Sequence, residues 1–527
     1  MQNYNNQIER AAGILLHITS LHNEEGIGTL GPEAHRFIDS LNKASQKYWQ
    51  MLPIHPTIEG DSPFQGPSVF AGNPNLISLE GLVNAGDLSQ ENYRQYLLRY
   101  AKFKEAYNGR NDNYVEYGFI WENKLGFDSK VKGYSAAALR QAYEGFKASD
   151  NSSRTGAFQK FCEENAKWLD DYADFMALKE MYGFGRMWND WDKKHKDREE
   201  RYNKNIDKES IRFYKYVQFV FDEQMTALRH SAKNKGVKLI GDVPIYPAYD
   251  SADVWANREL FRLDSNGNMT HAAGVPPDYF SKDGQLWGNP LYRWGGVGND
   301  VVSEKIYNWW LSRLERLNKY FDVVRIDHFR GFVAAGTVKA GAKDARDAVW
   351  IPGPCEKVVD YLHKHSISIP DIIAEDFGII TNRVRDVLAY SGFPGMKALQ
   401  FADFSNPHHI YLTHNAESNS VFYTGTHDNE TFRQWFDALQ DKDKVVAYLK
   451  ASKEEESHWK AIDLVHSSKS KLVIIPLPDV FALGPEARMN HPGTKGWWRW
   501  RIGPELVDKI DKEFAHLKEI TIRTKRD

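Results

Sequence analysis

Cysteine is nearly absent. The 527 residues hold only Cys162 and Cys355, far apart and in no metal-ligand spacing. That excludes a disulfide framework and a cysteine-built metal centre, and two reduced thiols suit a cytoplasmic protein. A surplus of one charge is also absent: 68 Lys and Arg face 71 Asp and Glu, a formal net charge of −3. Electrostatic binding to nucleic acid or to a membrane surface is therefore not expected. No apolar run approaches the roughly 20 residues of a membrane span. Residues 1–7 lack the basic and apolar regions of a signal peptide. Internal repeats, low-complexity tracts and disordered linkers are missing as well.

What the chain does have is a recurring short apolar run, rich in Val, Ile and Leu and hardly alternating. Eight such runs are read as strands: 13–18, 48–54, 237–245, 322–327, 371–375, 398–401, 420–425 and 471–476. Continuous apolarity of this kind marks parallel strands buried on both faces. Amphipathic segments lie between them. Residues 303–321 repeat Ile306, Trp310, Leu314, Leu317 and Phe321 at helical spacing, with Ser303 as the expected N-cap. Residues 381–390 start on Thr381, and residues 504–520 form a last helix that closes the structure. Strand-helix alternation with eight strands predicts a TIM (β/α)8 barrel. A bare barrel needs only about 250 residues. The excess reads as mainly helical inserted subdomains, at 81–205 between strands two and three and at 246–302 after strand three.

Three of the apolar runs end in acids. They are Val323-Val324-Arg325-Ile326-Asp327-His328, Ile372-Ile373-Ala374-Glu375-Asp376 and Phe422-Tyr423-Thr424-Gly425-Thr426-His427-Asp428-Asn429. A barrel gathers residues from successive strand ends at its C-terminal face. Glycoside chemistry with retention needs one ionised carboxylate as nucleophile and one protonated carboxyl group as acid, about 5–5.5 Å apart. Arg325 lies two residues before Asp327, so both can face the barrel mouth, and the cation would keep Asp327 ionised. The apolar run before Glu375 implies burial, which raises a carboxyl pKa and suits a general acid. Asp428 suits a third role, gripping sugar hydroxyls and distorting the ring. The bland alternative is that strand-end polar residues, Asp376, Asn382 and Asn429 included, only cap the following helices.

These segments resemble the signatures of the 4-α-glucanotransferases, the amylomaltases or disproportionating enzymes of glycoside hydrolase family 77 in the α-amylase clan. The matching stretches include Arg325-Ile326-Asp327-His328-Phe329-Arg330-Gly331, Ala374-Glu375-Asp376-Phe377-Gly378 and Thr424-Gly425-Thr426-His427-Asp428-Asn429. Others are Asp61-Ser62-Pro63-Phe64-Gln65, Gly241-Asp242-Val243-Pro244-Ile245-Tyr246, Gly274-Val275-Pro276-Pro277-Asp278-Tyr279-Phe280, Gly284-Gln285-Leu286-Trp287-Gly288 and Arg488-Met489-Asn490-His491-Pro492. The resemblance implies Asp327 as nucleophile, Glu375 as acid/base and Asp428 as transition-state stabiliser. It also implies substrate contacts from Arg325, His328, His427, Asp242, Asp278, Trp287, Asn490 and Ser62. The implied reaction transfers α-1,4-glucan segments between maltodextrin donors and acceptors through a covalent glycosyl-enzyme, with no cofactor and no metal. An α-amylase-type hydrolase and a silent glucan-binding protein are the rival readings.

The chain departs from the family pattern in places. Phe64 stands where the family usually has Tyr. Ala335-Gly336 replaces a Tyr-Trp pair carried on a loop over the site, Pro478-Asp479 replaces Gln-Asp, and Gly496-Trp497-Trp498 replaces Gly-Asn-Trp. Losing a lid aromatic would admit water and favour hydrolysis, unless Trp497 or another aromatic refills the space. Of the 16 tryptophans, Trp188, Trp191, Trp309 and Trp310 read as core at helical spacing, and Trp287 as ligand-facing. The Gly26–Gly31 GxGxxG follows a polar loop rather than a strand, so it does not read as a dinucleotide site. His408, His409 and His414 read as surface histidines rather than a metal site.

Overall fold

The computed structural model describes every residue except 1–7, 58–60, 107–112, 127–133, 198–205, 278–281 and 295–299. In chain order its strands are β1 (Ala11–Leu15), β2 (Tyr48–Gln50), β3 (Lys238–Val243), β4 (His271–Val275), β5 (Gln285–Pro290) and β6 (Val323–Ile326). They continue as β7 (Ala334–Lys339), β8 (Val349–Pro352), β9 (Asp371–Ala374), β10 (Gly395–Ala398), β11 (Ser420–Tyr423) and β12 (Leu472–Pro476). Eight of them pair side by side in the order β10-β11-β12-β1-β2-β3-β6-β9. The ring closes where the Ala374 amide donates to the Pro394 carbonyl, 3.0 Å away, just before β10. This is the TIM barrel that the strand pattern predicts.

The continuous apolar runs follow from burial on two sides. Leu15, Tyr48, Ile240, Val323, Ile373, Met396, Val421 and Ile474 form one buried cluster inside the ring. Their chain neighbours, such as Ile14, Leu239, Val324 and Ile372, face the helices outside and join the main core. Register then places chemistry. Arg325 on β6 lies opposite Asp242 on β3 on one side and Ile373 on β9 on the other.

Three expectations are corrected. The sixth barrel strand is Gly395–Ala398, not 398–401, because Leu399–Phe401 turn into a 3-10 helix. The strand's start was hidden by glycine and lysine. A Cβ on Gly395 would sit 2.9 Å from the Asp376 carboxylate, and the Met396 amide donates to that carboxylate at 2.7 Å. Ser303 is not an N-cap, since its helix runs Asp300–Asn318 and begins a turn earlier. Beside the helices, β5-β4-β7-β8 make an antiparallel sheet at the barrel mouth. Its strands are four to six residues long and three of them contain a glycine, so only their mutual pairing reveals them. Ala335 and Gly336 lie in β7 of this sheet, not on a loop.

Between β2 and β3 run the helices Gln90–Ala106, Ala138–Ala148, Ser152–Glu164, Ala166–Tyr182 and Lys208–Asn234. A buried ion pair ties this stretch to the barrel. Lys124 Nζ lies 3.1 Å from Glu25 on the loop after β1, and both side chains are almost wholly enclosed. Glu25 also accepts from the Leu79 amide at 2.9 Å, at the start of the helix Leu79–Asn84. Removing one partner of such a pair strands the other charge. Lys124→Met is therefore expected to destabilise the protein by about 3–5 kcal/mol in urea unfolding. An unchanged midpoint would show that the two parts are not coupled through this pair. At the other end of the chain, the helix Ile510–Arg523 packs Phe514 on Phe37, ring centroids 6.3 Å apart.

Candidate active site

A cleft of about 1180 Å³ opens at the C-terminal ends of the barrel strands. Ser62, Trp287, Arg325, Asp327, His328, Glu375, Asp428 and Asn490 line it. Asp242 and His427 are buried just behind that lining, and Asp278 lies outside the described residues. Residues the sequence reading missed also line the cleft, notably Tyr246, Arg330, Trp350, Phe377, Phe401 and Arg488. Tyr246, Arg330, Phe377 and Arg488 belong to the family-like segments, which was a usable signal. Nothing local marks Trp350.

Arg325 organises the surroundings of Asp327. Its Nε donates to Asp242 at 2.7 Å and its Nη2 to Asp327 at 2.8 Å. Burial alone would lower the Arg325 pKa, but the two carboxylates outweigh it and keep the guanidinium charged. Burial pushes Asp327 up, and Arg325 opposes it. Asp327 keeps 29% of its side chain open to the cleft, and the direct contact with Arg325 favours its charged form. Asp242 is sealed behind Arg325 and rises to about 7 through burial, which the Arg325 charge opposes. Its Oδ2 takes the Arg325 hydrogen bond, and its side chain is closed off from the cleft.

Glu375 sits in a different environment. Its Oε2 accepts from the His328 amide at 2.8 Å and its Oε1 from the Phe377 amide at 2.7 Å. Burial, and then the Asp327 charge, push it up to about 8 against the pull of Arg325. It is therefore mostly protonated at pH 7. The His328 amide reaches it because His328 adopts the left-handed region, with φ 51° and ψ 52°. That conformation costs about 1 kcal/mol or more for a non-glycine residue and is a mark of functional sites. Burial pushes both carboxyl groups up, and what separates them is the Arg325 guanidinium in direct contact with Asp327 but not with Glu375.

Asp428 follows β11. Its Oδ1 accepts from Asn490 Nδ2 at 2.6 Å, and its carbonyl accepts from Arg488 at 3.2 Å. Burial raises its pKa while Asn490 opposes. The loop that carries it is pinned at both ends by Asp479, which accepts from the Thr424 hydroxyl at 2.5 Å and the Phe432 amide at 2.7 Å. His427 and His328 are neutral, both lowered first by burial, His328 to about 3. The Phe64 ring lies flat on His427 (centroids 5.5 Å, interplanar angle 6°), and Trp287 meets His328 edge-on at 4.7 Å.

The helix-capping alternative does not describe these acids. Thr381 and Thr431 cap the helices that follow β9 and β11. Asp376 instead takes the Met396 amide, and Asn429 takes the Thr426 amide and hydroxyl. Trp188, Trp191, Trp309 and Trp310 are buried in the core. The imidazoles of His409 and His414 bond to the Asp403 amide and the Pro407 carbonyl respectively. Among the described residues, no group of three His, Cys, Asp or Glu side chains is placed to hold a metal ion. No helix among them is long and apolar enough to cross a membrane.

A model of glycoside hydrolase family 77, described as 4-alpha-glucanotransferase, matches residues 16–506. The 4-alpha-glucanotransferase of Clostridium butyricum is 42% identical over 512 residues, covering 94% of this chain and 98% of that protein. The Thermus thermophilus 4-alpha-glucanotransferase is 40% identical over 531 residues, covering 98% and 100%. Among solved structures, amylomaltase from Streptococcus agalactiae in complex with acarbose matches with TM-score 0.86 at 34% identity, covering 98% of this chain and 100% of that one. With this likeness along nearly its whole length, and the three acids at the mouth of its barrel, the chain belongs to the 4-alpha-glucanotransferases of glycoside hydrolase family 77.

Proposed function

We propose that the cleft moves α-1,4-glucan segments from one maltodextrin to another by double displacement, with Asp327 as nucleophile and Glu375 as acid/base. The observation that carries this reading is the contrast between the two groups. Arg325 touches Asp327 and favours its charge, while burial and that same charge keep the proton on Glu375. In the first step the Asp327 carboxylate attacks C1 of the donor glucosyl unit. Glu375 gives its proton to the glycosidic oxygen, and the reducing-end fragment leaves. In the second step the 4-hydroxyl of an acceptor attacks C1 of the glycosyl ester. Glu375 takes that hydroxyl's proton and Asp327 departs as carboxylate. The configuration at C1 is retained.

Asp428, presented by Asn490, would grip ring hydroxyls more tightly as the ring flattens toward the oxocarbenium-like transition state. Arg325 and Asp327 face the same sugar site, with His328 and Trp287 beside it. The two free cysteines agree with a cytoplasmic setting.

Transfer differs from hydrolysis only in what attacks the glycosyl ester, so products decide between them. Incubation with maltotriose should give a ladder from glucose to long maltodextrins, with a constant count of reducing ends. Short products with rising reducing ends would replace this reading with a hydrolase.

A further inference from the structure

The wall of the cleft formed by the antiparallel sheet carries a feature that the catalytic residues do not use. Trp350 on β8 pairs with Gly336 on β7. The ring folds over that glycine, so that a Cβ there would lie 3.2 Å from the indole Cζ3 and only 2.1 Å from the Gly274 carbonyl oxygen. Any side chain at position 336 would force β4 and Trp350 apart. The other support of the ring is Arg330, whose guanidinium carbon lies 3.5 Å from the ring centroid. The indole is half-buried and lines the same cleft as the three acids.

Arg330 is only 5% exposed, yet its Nε and Nη1 have no hydrogen-bond partner among the described residues. The hydroxyl of Tyr246, 4% exposed and on the same cleft, is likewise unsatisfied among them. These atoms are themselves closed off, so the group this wall presents to the cleft is the indole, held by Arg330. A flat indole on a cleft lined by carboxyl groups suits one ligand chemistry: a pyranose, with an apolar C–H face for the ring and hydroxyls for the acids.

The position also has a side. The turn Phe329–Phe332 that carries Arg330 is fastened to Glu375, through the His328 amide on its carboxylate and the Phe329 amide on its carbonyl at 3.1 Å. An acid that protonates the glycosidic oxygen has the departing sugar, and later the acceptor, on its own flank. We propose that Trp350, laid on Arg330 and over Gly336, is the platform of an acceptor-side subsite for a glucosyl unit. This rests on Glu375 being the acid/base. The same ring answers the question raised by Ala335-Gly336. Trp350 fills the room in front of Gly336, whereas Trp497 stacks on His491, 5.9 Å away.

The test is calorimetric titration of maltotetraose into the Glu375→Gln protein, where turnover does not interfere. Adding Trp350→Ala should weaken binding about tenfold, the loss expected for one stacked contact. Trp350→Phe should restore most of it. Arg330→Lys, which keeps the charge but loses the planar stack, should weaken binding in the same direction. Val349→Ala, at the exposed neighbour on the same strand, should leave it unchanged. With Glu375 intact, Trp350→Ala should raise the KM for a maltose acceptor while the rate at saturating acceptor holds. Equal affinity with and without Trp350, no binding by the parent, or a rise in donor KM alone would each overturn the subsite. Binding that depends on Trp350 in a protein whose wild type makes no transfer products would uphold the subsite and sink the transferase reading.

Discussion

Asp327→Asn should lower maltotriose disproportionation by at least about 10⁴-fold, the scale seen when an enzyme loses the nucleophile of a group that acts as a unit. Asparagine keeps the shape of the side chain and can still take the Arg325 hydrogen bond, made at 2.8 Å in the native chain. What it loses is the negative charge and the nucleophilic oxygen that the proposed first step requires at C1. Arg325 retains Asp242 as its second partner, so the fold and glucan binding should survive. Two measurements check this together. Product chromatography gives the rate, and intact-mass analysis after a fluorinated donor traps any glycosyl-enzyme. The native protein should gain the mass of the glycosyl unit on Asp327 and the variant should not. A trapped adduct on another carboxylate would move the nucleophile there.

Glu375→Gln should cost about 10²–10⁴-fold with maltotriose, the usual contribution of a positioned general acid. The loss should be far smaller in the first step with a glycosyl fluoride donor, because fluoride leaves without a proton. If both donors suffer equally, Glu375 does not act as the acid in that step. The pH dependence follows from the group's position at about 8. The first step needs the protonated form, so the alkaline limb of the native enzyme should fall near pH 8, and Glu375→Gln should lack that limb. Stability moves in a related way. An unfolded glutamate ionises near 4.3, whereas the folded group holds its proton to about 8. Between those values the unfolded chain releases a proton that the native state keeps, so the native enzyme loses stability as pH rises. The variant should therefore melt higher than the native enzyme at pH 8–9, with the gap closing at pH 4. A gap that does not depend on pH would place its cause outside this carboxyl group.

Some of this chemistry was legible in the order of residues because it is local. A carboxylate at the end of an apolar run is an acid at a strand end, whatever surrounds it. Arg325 two residues before Asp327 faces the same way because strands have a period of two. Thr381 caps its helix because a cap depends only on the next turn. The barrel was legible for the same reason: unbroken apolar runs mean burial on both faces, and eight of them make a ring.

The sequence by itself determined the barrel, the three acids and the family. Only the tertiary structure decided what each acid experiences and what faces it. Asp242 and Arg325 are 83 residues apart and meet because β3 and β6 pair in one register. The rise of Glu375 to about 8 depends on burial and on the charge of Asp327, a residue from another strand. The Phe64 ring against His427, and Trp350 over Gly336, join segments whose spacing carries no period. The antiparallel sheet exists only as the mutual pairing of short strands that have no strong pattern of their own. Local propensity and burial period are written along the chain, but dielectric, charge proximity and ring contacts are properties of space. They arise only when distant segments are brought together.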